Sequence, residues 1–282
     1  MDDLSKLTPV QQNVLIASII GDGEITKLYK KSRRKNHSYR EHFGKEQAEY
    51  RKWKISFFDN LLYITPRSQC VRSSSLPLFT RLYPYFYHDD GSKHIPIPLL
   101  TYCTLPHFLA VLYMDDGSLC ISPNINKRKK VIYLTPHIYL YLQNYPPEEL
   151  KKLQQHILSY FGVTFRLSNH PNGQGCILRT TSVRDTFHFL DIISSAISTC
   201  PSMYYKTNWN ERLKIEKEKW KKIFPDFKLL TSSHERSKPY SKKEIQQLKE
   251  MKQKGATIQE IADTLQRSYW SIVYKWREIQ KE

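Results

Sequence analysis

LIASIIGDG (residues 15–23) and LAVLYMDDG (residues 109–117) each run an apolar segment directly into an Asp-Gly pair. A carboxylate is unfavourable in that place, because the carboxyl end of a helix already carries a partial negative charge. The repetition indicates that Asp22 and Asp116 do more than end a turn. Ala17 and Gly21 stand four positions apart, so they leave one helix face smooth enough for a second helix to approach closely.

The segments around both stretches follow one order, which is helix, two strands, helix, two strands, helix. Thr8 and Gln11 have the spacing of a capping box and predict the start of the first helix. Gly23 predicts a left-handed residue after that helix, and Thr104 is the expected cap of the second. The repeated order predicts an α+β fold, in which two similar halves form one pseudo-twofold domain.

The predicted halves are residues 1–100 and 101–224, and the remaining sequence differs from both. Residues 225–240 are polar and rich in turn-forming residues, which predicts a linker. Residues 241–282 contain three short amphipathic segments, at about 241–253, 257–265 and 268–280. This pattern is typical of a small all-α helix-turn-helix domain that binds DNA.

The composition indicates a folded protein with a polyanionic partner. The chain has 282 residues, of which 40% are hydrophobic, and a net charge of +17 from 44 basic and 27 acidic residues. Such a charge favours nucleic acid as the partner. The sequence has neither a membrane-span pattern nor a signal peptide, and its five cysteines show no paired spacing. We therefore expect a monomeric intracellular protein, not secreted and not membrane-bound, in the cytoplasm or in an organelle matrix that contains DNA.

The two acids at the helix ends predict a metal site. If the helices pack along their small residues, Asp22 and Asp116 lie side by side, and their mutual repulsion requires a cation. Carboxylates favour a hard divalent ion, Mg²⁺ or another such as Mn²⁺. Two such acids between basic strands suit the hydrolysis of phosphodiesters in both strands of a duplex.

These residues resemble the two motifs of the LAGLIDADG homing endonucleases, in the single-chain form. Ile20 and Met114 stand where the motif's name carries its first Asp. The resemblance implies that Asp22 and Asp116 are the catalytic acids. It also implies a fold of αββαββα halves with two saddle-shaped antiparallel sheets that straddle the major groove. In intron-encoded members, lysines lie beside the active sites, and SKHIP (Lys93) and SMYYK (Lys206) match their positions.

The predicted activity is therefore that of a site-specific double-strand DNA endonuclease that spreads its own gene. Gly21 and Asp115 are further candidate metal ligands, although Asp115 is more readily a neighbour of the helix end. Basic residues on the strands and on the loop tips 31–35 and 126–130 are expected to contact DNA, mostly at phosphates. The candidates in the two halves are Lys27, Lys31, Arg33, Arg34, Lys35, Arg40, Arg72, Lys127, Arg128, Lys129, Lys130, Arg166 and Arg179.

In the C-terminal domain, the last helix is expected to enter a major groove, with its first residues at base edges. The candidates are Arg267, Ser268, Tyr269, Ser271 and Lys275, of which Lys275 is expected to meet phosphate.

Two alternatives to the endonuclease function stay open. One is a transcription regulator with this domain and without nuclease chemistry, and the other is an RNA maturase that binds intron RNA. The histidines, including His37, His42, His88, His94 and His107, show no ligand spacing and are expected to be core or surface residues.

Overall fold

A computed structural model describes residues 4–170, 173, 175–231, 240–267 and 269–280. The chain divides into two compact units, residues 1–234 and residues 235–282. Within the described ranges, no helix is both long enough and apolar enough to cross a membrane. The larger unit contains both motif segments, and the smaller contains the predicted helix-turn-helix.

The first half of the larger unit has the predicted order of elements. They are α1 (Pro9–Ile20), β1 (Glu24–Thr26), β2 (Ser38–His42), α2 (Ala48–Ile55), β3 (Tyr63–Thr65), β4 (Cys70–Arg72) and α3 (Pro77–Phe86). The predicted start of α1 is confirmed. The Thr8 hydroxyl accepts the Gln11 N–H, and the Gln11 side chain accepts the Thr8 N–H. The strands of this half are short, and β1 has three residues.

The second half repeats the order with longer strands. It contains α4 (Pro106–Asp116), β5 (Gly117–Asn126), β6 (Val131–Leu140), α5 (Pro147–Phe161), β7 (Phe165–Asn169), β8 (Cys176–Thr180) and α6 (Val183–Ile197). The cap predicted at Thr104 is wrong. The residue before α4 is Leu105, which makes no side-chain cap, and Pro106 occupies the first helical position, where its missing N–H costs nothing.

Each half forms one antiparallel sheet, with strand orders β1-β2-β4-β3 and β5-β6-β8-β7.

Three more elements complete the described part of the larger unit, and they are α7 (Tyr204–Thr207), α8 (Trp209–Ile223) and β9 (Lys228–Thr231). Strand β9 pairs in parallel with β6, with Lys228 opposite Val131. The linker predicted at 225–240 is therefore wrong at 228–231, because backbone pairing makes that segment part of the second sheet. Residues 232–239 lie outside the described ranges.

Helices α1 and α4 are buried almost all round and form the centre of the larger unit. Every residue from Gln12 to Ile20 is buried in α1, and every residue from Phe108 to Met114 in α4. A helix that is apolar on all faces belongs in a core, so packing rather than amphipathicity fixes these two helices. Their close contact is visible at Gly21, where an added Cβ would lie 2.8 Å from the Cβ of Asp115.

The left-handed conformation predicted for Gly23 is wrong, because Gly23 is not among the residues with positive φ. Glycine is needed at position 23 because there is no room for a Cβ atom. A Cβ at Gly23 would lie 2.3 Å from the Tyr39 hydroxyl and 2.7 Å from the Ser18 carbonyl oxygen. Gly117 is equally confined, since its Cβ would lie 2.5 Å from the Tyr113 carbonyl oxygen. The glycine after each acid therefore lets neighbouring atoms approach the helix end.

The smaller unit contains three helices close to their predicted positions, α9 (Lys242–Gln253), α10 (Ile258–Thr264) and α11 (Tyr269–Ile279). Capping boxes begin α9 at Ser241 and α10 at Thr257. The buried side chains are those of Leu248, Ile261, Ala262 and Ile272. Three short helices around so small a core match the architecture that the sequence predicted.

Candidate active site

The two motif acids occupy unequal environments at the ends of the central helices. Asp22 follows α1 and is exposed, whereas Asp116 is the last residue of α4 and is largely enclosed. Burial first, and then the charges of Asp115 and Asp22, raise the pKa of Asp116 to about 7, against the opposing charges of Lys93 and Lys206. The surroundings of Asp116 thus disfavour the ionised form of its carboxyl group.

A lysine lies against the end of each central helix. The Lys93 ammonium donates to the Gly21 carbonyl oxygen at 2.9 Å and to that of Gly23 at 2.7 Å. The Lys206 ammonium donates to the Met114 carbonyl oxygen at 2.6 Å. Helix ends leave carbonyl oxygens without partners, and a cation there is favourable. The fold therefore brings both sequence-predicted lysines to the motif acids.

Burial lowers the pKa of both lysines from its ordinary value, although nearby carboxylates, Asp116 for Lys93 and Asp115 for Lys206, act in the opposite direction. A lysine with a lowered pKa exchanges its proton more readily near neutral pH. The two lysines are not equivalent, however. Lys93 bonds to the residues on either side of Asp22, while Lys206 bonds to Met114, two residues before Asp116.

Asp115 is turned away from Asp116 and fully enclosed, and both of its carboxylate oxygens lie 2.9 Å from the Lys54 ammonium. The Tyr50 hydroxyl donates to it at 2.8 Å and the Arg51 guanidinium at 3.2 Å. Burial acts to raise the pKa of Asp115, but the charges of Lys54 and Arg51 outweigh it and lower the pKa. Asp115 stays a predicted metal ligand, because it offers an oxygen within 4.8 Å of ligand atoms of Asp22 and Glu41, although Lys54 and Arg51 already contact its carboxylate.

Arg51 connects this buried cluster to the motif acid of the first half. Its guanidinium donates to Asp22 at 2.6 Å, and its Nε lies 3.0 Å from a carboxylate oxygen of Glu41. Glu41 also accepts from Lys54 at 2.8 Å. Sequence reasoning missed Arg51, Lys54 and Glu41, since charges on short amphipathic segments ordinarily face water. Only the packing of α2 and β2 against α4 reveals the cluster.

The predicted DNA-contacting arginines of the first sheet lie in one cross-strand row. Glu24 pairs with Arg40, Arg40 with Arg72, and Arg72 with Tyr63. The positions beside this row in the three strands, Ile25, Tyr39 and Val71, are buried in the core. Because side chains alternate between faces, the arginine row lies on the face away from the core. Arg40 is bonded to Glu24 in this structure.

The second sheet repeats this arrangement. Arg166 of β7 pairs with Arg179 of β8, and Arg179 pairs with Tyr139 of β6. The neighbouring positions Phe165, Leu178 and Thr180 are buried, so the two arginines again share the face away from the core. The Arg179 Nε is buried and has no hydrogen-bond partner in the part of the chain that the structure describes. The two sheets thus present matching pairs of arginines.

The predicted basic tips are exposed in both halves. The exposed side chains are Lys27, Lys31, Arg33, Arg34 and Lys35 in the first half, and Lys127, Arg128, Lys129 and Lys130 in the second. Arg34 differs from the others because it holds its own loop together. Its guanidinium donates to the Thr26 hydroxyl at 3.0 Å and to the Ser38 hydroxyl at 2.9 Å.

The candidates in the smaller unit are partly engaged within that unit. Arg267 forms a two-point ion pair with Glu244 and lies 4.1 Å over the ring of Tyr240. Ser271 shares a hydrogen bond with the Tyr240 hydroxyl, and Lys275 pairs with Glu278. These contacts fix α11 to the start of α9, so the base contact predicted for Arg267 requires breaking an ion pair. Tyr269 is exposed, and Ser268 lies outside the described residues.

Comparisons with known proteins support one family. The solved homing endonuclease I-WcaI, bound to its DNA recognition sequence, matches with a TM-score of 0.55 and 21% identity, over 74% of this chain and 92% of that one. The RecA proteins of Mycobacterium shimoidei and Mycolicibacterium fallax are 24% and 25% identical over 204 and 205 residues.

Those matches cover 71% of this chain but 47% and 46% of the two RecA proteins, so the chain spans about half the length of these relatives. The family model described as the LAGLIDADG DNA endonuclease family matches residues 12–187, which include both motif acids and Lys93. This chain belongs to the LAGLIDADG DNA endonuclease family.

Proposed function

We propose that this protein is a site-specific endonuclease that hydrolyses one phosphodiester in each strand of a long DNA target, with the help of a divalent metal ion, and acts as a monomer. The observation that carries the proposal is the pair of helix ends. Each central helix end carries a motif acid with a partly buried lysine against it, and the surroundings of Asp116 raise its pKa to about 7. A carboxylate is unfavourable at the carboxyl end of a helix, so its presence at both ends favours a role in chemistry.

The residues present fit a hard divalent cation. Asp22 and Asp116 supply carboxylate oxygens, and the Gly21 carbonyl is a further oxygen ligand at the same helix end. Such a set of oxygens favours Mg²⁺ or Mn²⁺ over softer metals. When bound, the cation would activate a water molecule and stabilise the leaving oxygen of the phosphodiester.

The chain's own groups complete the site. Lys93 and Lys206 place positive charge where the attacked phosphate gains negative charge, and their lowered pKa values suit proton exchange. Of the two motif acids, Arg51 contacts Asp22, since its guanidinium holds one Asp22 oxygen at 2.6 Å. This bond fixes the orientation of an otherwise exposed carboxylate and leaves its second oxygen available.

The two sheets supply the DNA-binding surface. Arg40 and Arg72 on the first sheet, and Arg179 and Arg166 on the second, lie in cross-strand rows away from the core. We infer that these rows contact the bases and backbone of duplex DNA, while the basic tips contact phosphates. Contacts spread over two sheets suit a long target sequence, and phosphate contacts make binding sensitive to salt.

The test is a cleavage assay on a randomised duplex library with Mg²⁺, on the parent and on the Asp22→Asn and Asp116→Asn variants. The parent should cut a defined long sequence in both strands. Each variant should still bind the selected duplex but should not cut both strands, because a metal-binding charge has been removed. Cutting of both strands by either variant at the parent's rate would contradict the assignment.

A second candidate function is a DNA-binding regulator that does not cut, and the observation that favours it is the three-helix unit at 242–279. The cleavage assay on the same duplex library distinguishes the regulator from the endonuclease. Protection of a defined sequence with no cutting in Mg²⁺ or Mn²⁺ would support the regulator, whereas ordered double-strand breaks would support the endonuclease.

A further inference from the structure

A tight chain reversal between α3 and α4 carries Lys93 on one face and two histidines on the other. The His88 N–H donates to the Ser92 carbonyl oxygen at 2.9 Å, and Tyr87 pairs with Lys93 as an antiparallel bridge. In such a ribbon, adjacent residues point to opposite faces. Tyr87 and Lys93 face the active site, so their neighbours His88 and His94 share the other face.

The contacts confirm this division. The Tyr87 hydroxyl accepts the Ile25 N–H at 2.9 Å, while Lys93 reaches the end of α1. On the opposite face, the rings of His88 and His94 lie with their centroids 4.4 Å apart. A carboxylate completes the group, since Glu149 in the first turn of α5 places Oε1 4.0 Å from the His88 Nε2.

The backbone at Ile95 orients two of these three side chains. The Ile95 N–H donates to one Glu149 oxygen at 2.7 Å, which leaves the other oxygen directed at the histidines. The His94 Nδ1 lies 3.2 Å from the Ile95 carbonyl oxygen. A carbonyl only accepts, so this contact places the proton on Nδ1 and leaves the Nε2 lone pair free. Metal-binding histidines are commonly held in this way by a backbone carbonyl.

We propose that His88, His94 and Glu149 form a binding site for one divalent transition-metal ion of the Zn²⁺ or Ni²⁺ class. One ligand atom from each residue lies within 4.8 Å of the other two. In a tetrahedral site with metal–ligand distances near 2.0–2.2 Å, ligand atoms stand about 3.4 Å apart. The exposed His88 side chain, with 54% of its surface accessible, can close the remaining gap by a small rotation.

The ligand set separates this site from the one at the helix ends. Two imidazoles and one carboxylate suit Zn²⁺ or Ni²⁺, whereas Mg²⁺ prefers oxygen ligands. A bound ion joins the ribbon that carries Lys93 to α5 of the second half. Ion binding therefore stiffens the ribbon and stabilises the fold, and this consequence does not depend on the proposed endonuclease activity.

The experiment is a Zn²⁺ titration of the full chain, free of any histidine tag, by calorimetry in an excess of Mg²⁺. The visible absorption of bound Co²⁺ reports the geometry in parallel. The parent should bind one ion in a tetrahedral site, and the affinity should fall at least tenfold in His94→Ala. Glu149→Gln should weaken binding too, and it preserves an acceptor for the Ile95 N–H, so its effect separates ligation from folding.

Two control variants locate the ion. His42→Ala removes an exposed histidine outside the cluster and should bind Zn²⁺ as the parent does. Asp22→Asn alters the acid pair and should also leave Zn²⁺ binding intact. Hydrogen exchange of residues 86–95 should slow with Zn²⁺ in the parent and not in His94→Ala. Equal Zn²⁺ binding by the parent, His94→Ala and Glu149→Gln, or its loss in Asp22→Asn, would overturn the proposal.

Discussion

Replacing Asp116 by Asn should stabilise the metal-free protein, and the gain should grow with pH. The pKa of Asp116 rises from 3.8 to about 7 on folding, first through burial and then through the charges of Asp115 and Asp22. Below about pH 4, the carboxyl is protonated in both states. Between that pH and about 7, only the unfolded chain releases the proton, so the folded state loses stability as the pH rises.

The loss amounts to about 1.4 kcal/mol for each pH unit between the two pKa values. The Asp116→Asn variant does not lose folding stability in this way as the pH rises. We therefore expect the variant to be more stable than the parent by about 2 kcal/mol at pH 5 and by about 4 kcal/mol at pH 8. Asp22→Asn is the matched control. Asp22 is exposed, and its replacement removes a bond to Arg51, so that variant should show no comparable gain.

The measurement is urea-induced unfolding of the full chain in EDTA at pH 5 and pH 8. The dependence of the unfolding free energy on urea concentration should be the same in parent and variant, which establishes that their transitions are alike. Addition of Mg²⁺ should stabilise the parent and not Asp116→Asn, because an ion that binds only the folded state shifts the equilibrium towards it. A difference between parent and variant that is the same at pH 5 and pH 8 would refute the reasoning.

Three further predictions follow from the same contacts. Lys93→Ala and Lys206→Ala should each slow DNA cutting at saturating enzyme by at least tenfold while the dissociation constant changes less; a loss seen only as weaker, more salt-sensitive binding would make them ordinary phosphate contacts. Lys54→Met should cost about 3–5 kcal/mol in urea unfolding, because it removes a buried cation that contacts the buried carboxylates of Asp115 and Glu41, and adding Asp115→Ala should restore a large part; purely additive effects would contradict the pairing. Truncation after residue 234, which keeps β9, should shorten the DNA footprint on one side and weaken binding without moving the cut positions; an unchanged footprint would mean that the smaller unit does not contact DNA.

The element order and the positions of the motif acids could be predicted because local chemistry determines them. The Thr8 capping box, the Asp-Gly pairs, and the capping boxes of the smaller unit at Ser241 and Thr257 are visible in short windows of sequence. The rows of arginines also follow from local alternation along each strand. What could not be predicted in this way was β9, since a parallel pair between residues 131 and 228 has no local signal.

The buried charges were equally invisible. Arg51 and Lys54 lie in a segment with many basic residues, where each appears to be one more solvated lysine or arginine. Their roles depend on Glu41 and Asp115, which come from a strand and from the opposite half. The cluster of His88, His94 and Glu149 could not be predicted from the sequence either. Their approach depends on a ribbon folding beside the first turn of α5, so no fixed sequence spacing indicates it.

The contact between Gly21 and Asp115 shows what a single chain permits at this helix pair. The two residues occupy equivalent places in the two motifs, one before each acid. In a symmetric dimer both would be the same residue. Two aspartates are excluded, because a Cβ at position 21 would lie 2.8 Å from the Cβ of Asp115. Two glycines would remove the buried carboxylate of Asp115, which Lys54 now holds at 2.9 Å. Arg51 and Lys54 would then keep only Glu41 and Asp22 as carboxylate partners from this cluster. Joining the halves in one chain allows glycine on one helix and aspartate on the other, so the close contact and the buried ion pairs coexist, and the two motif acids acquire different surroundings.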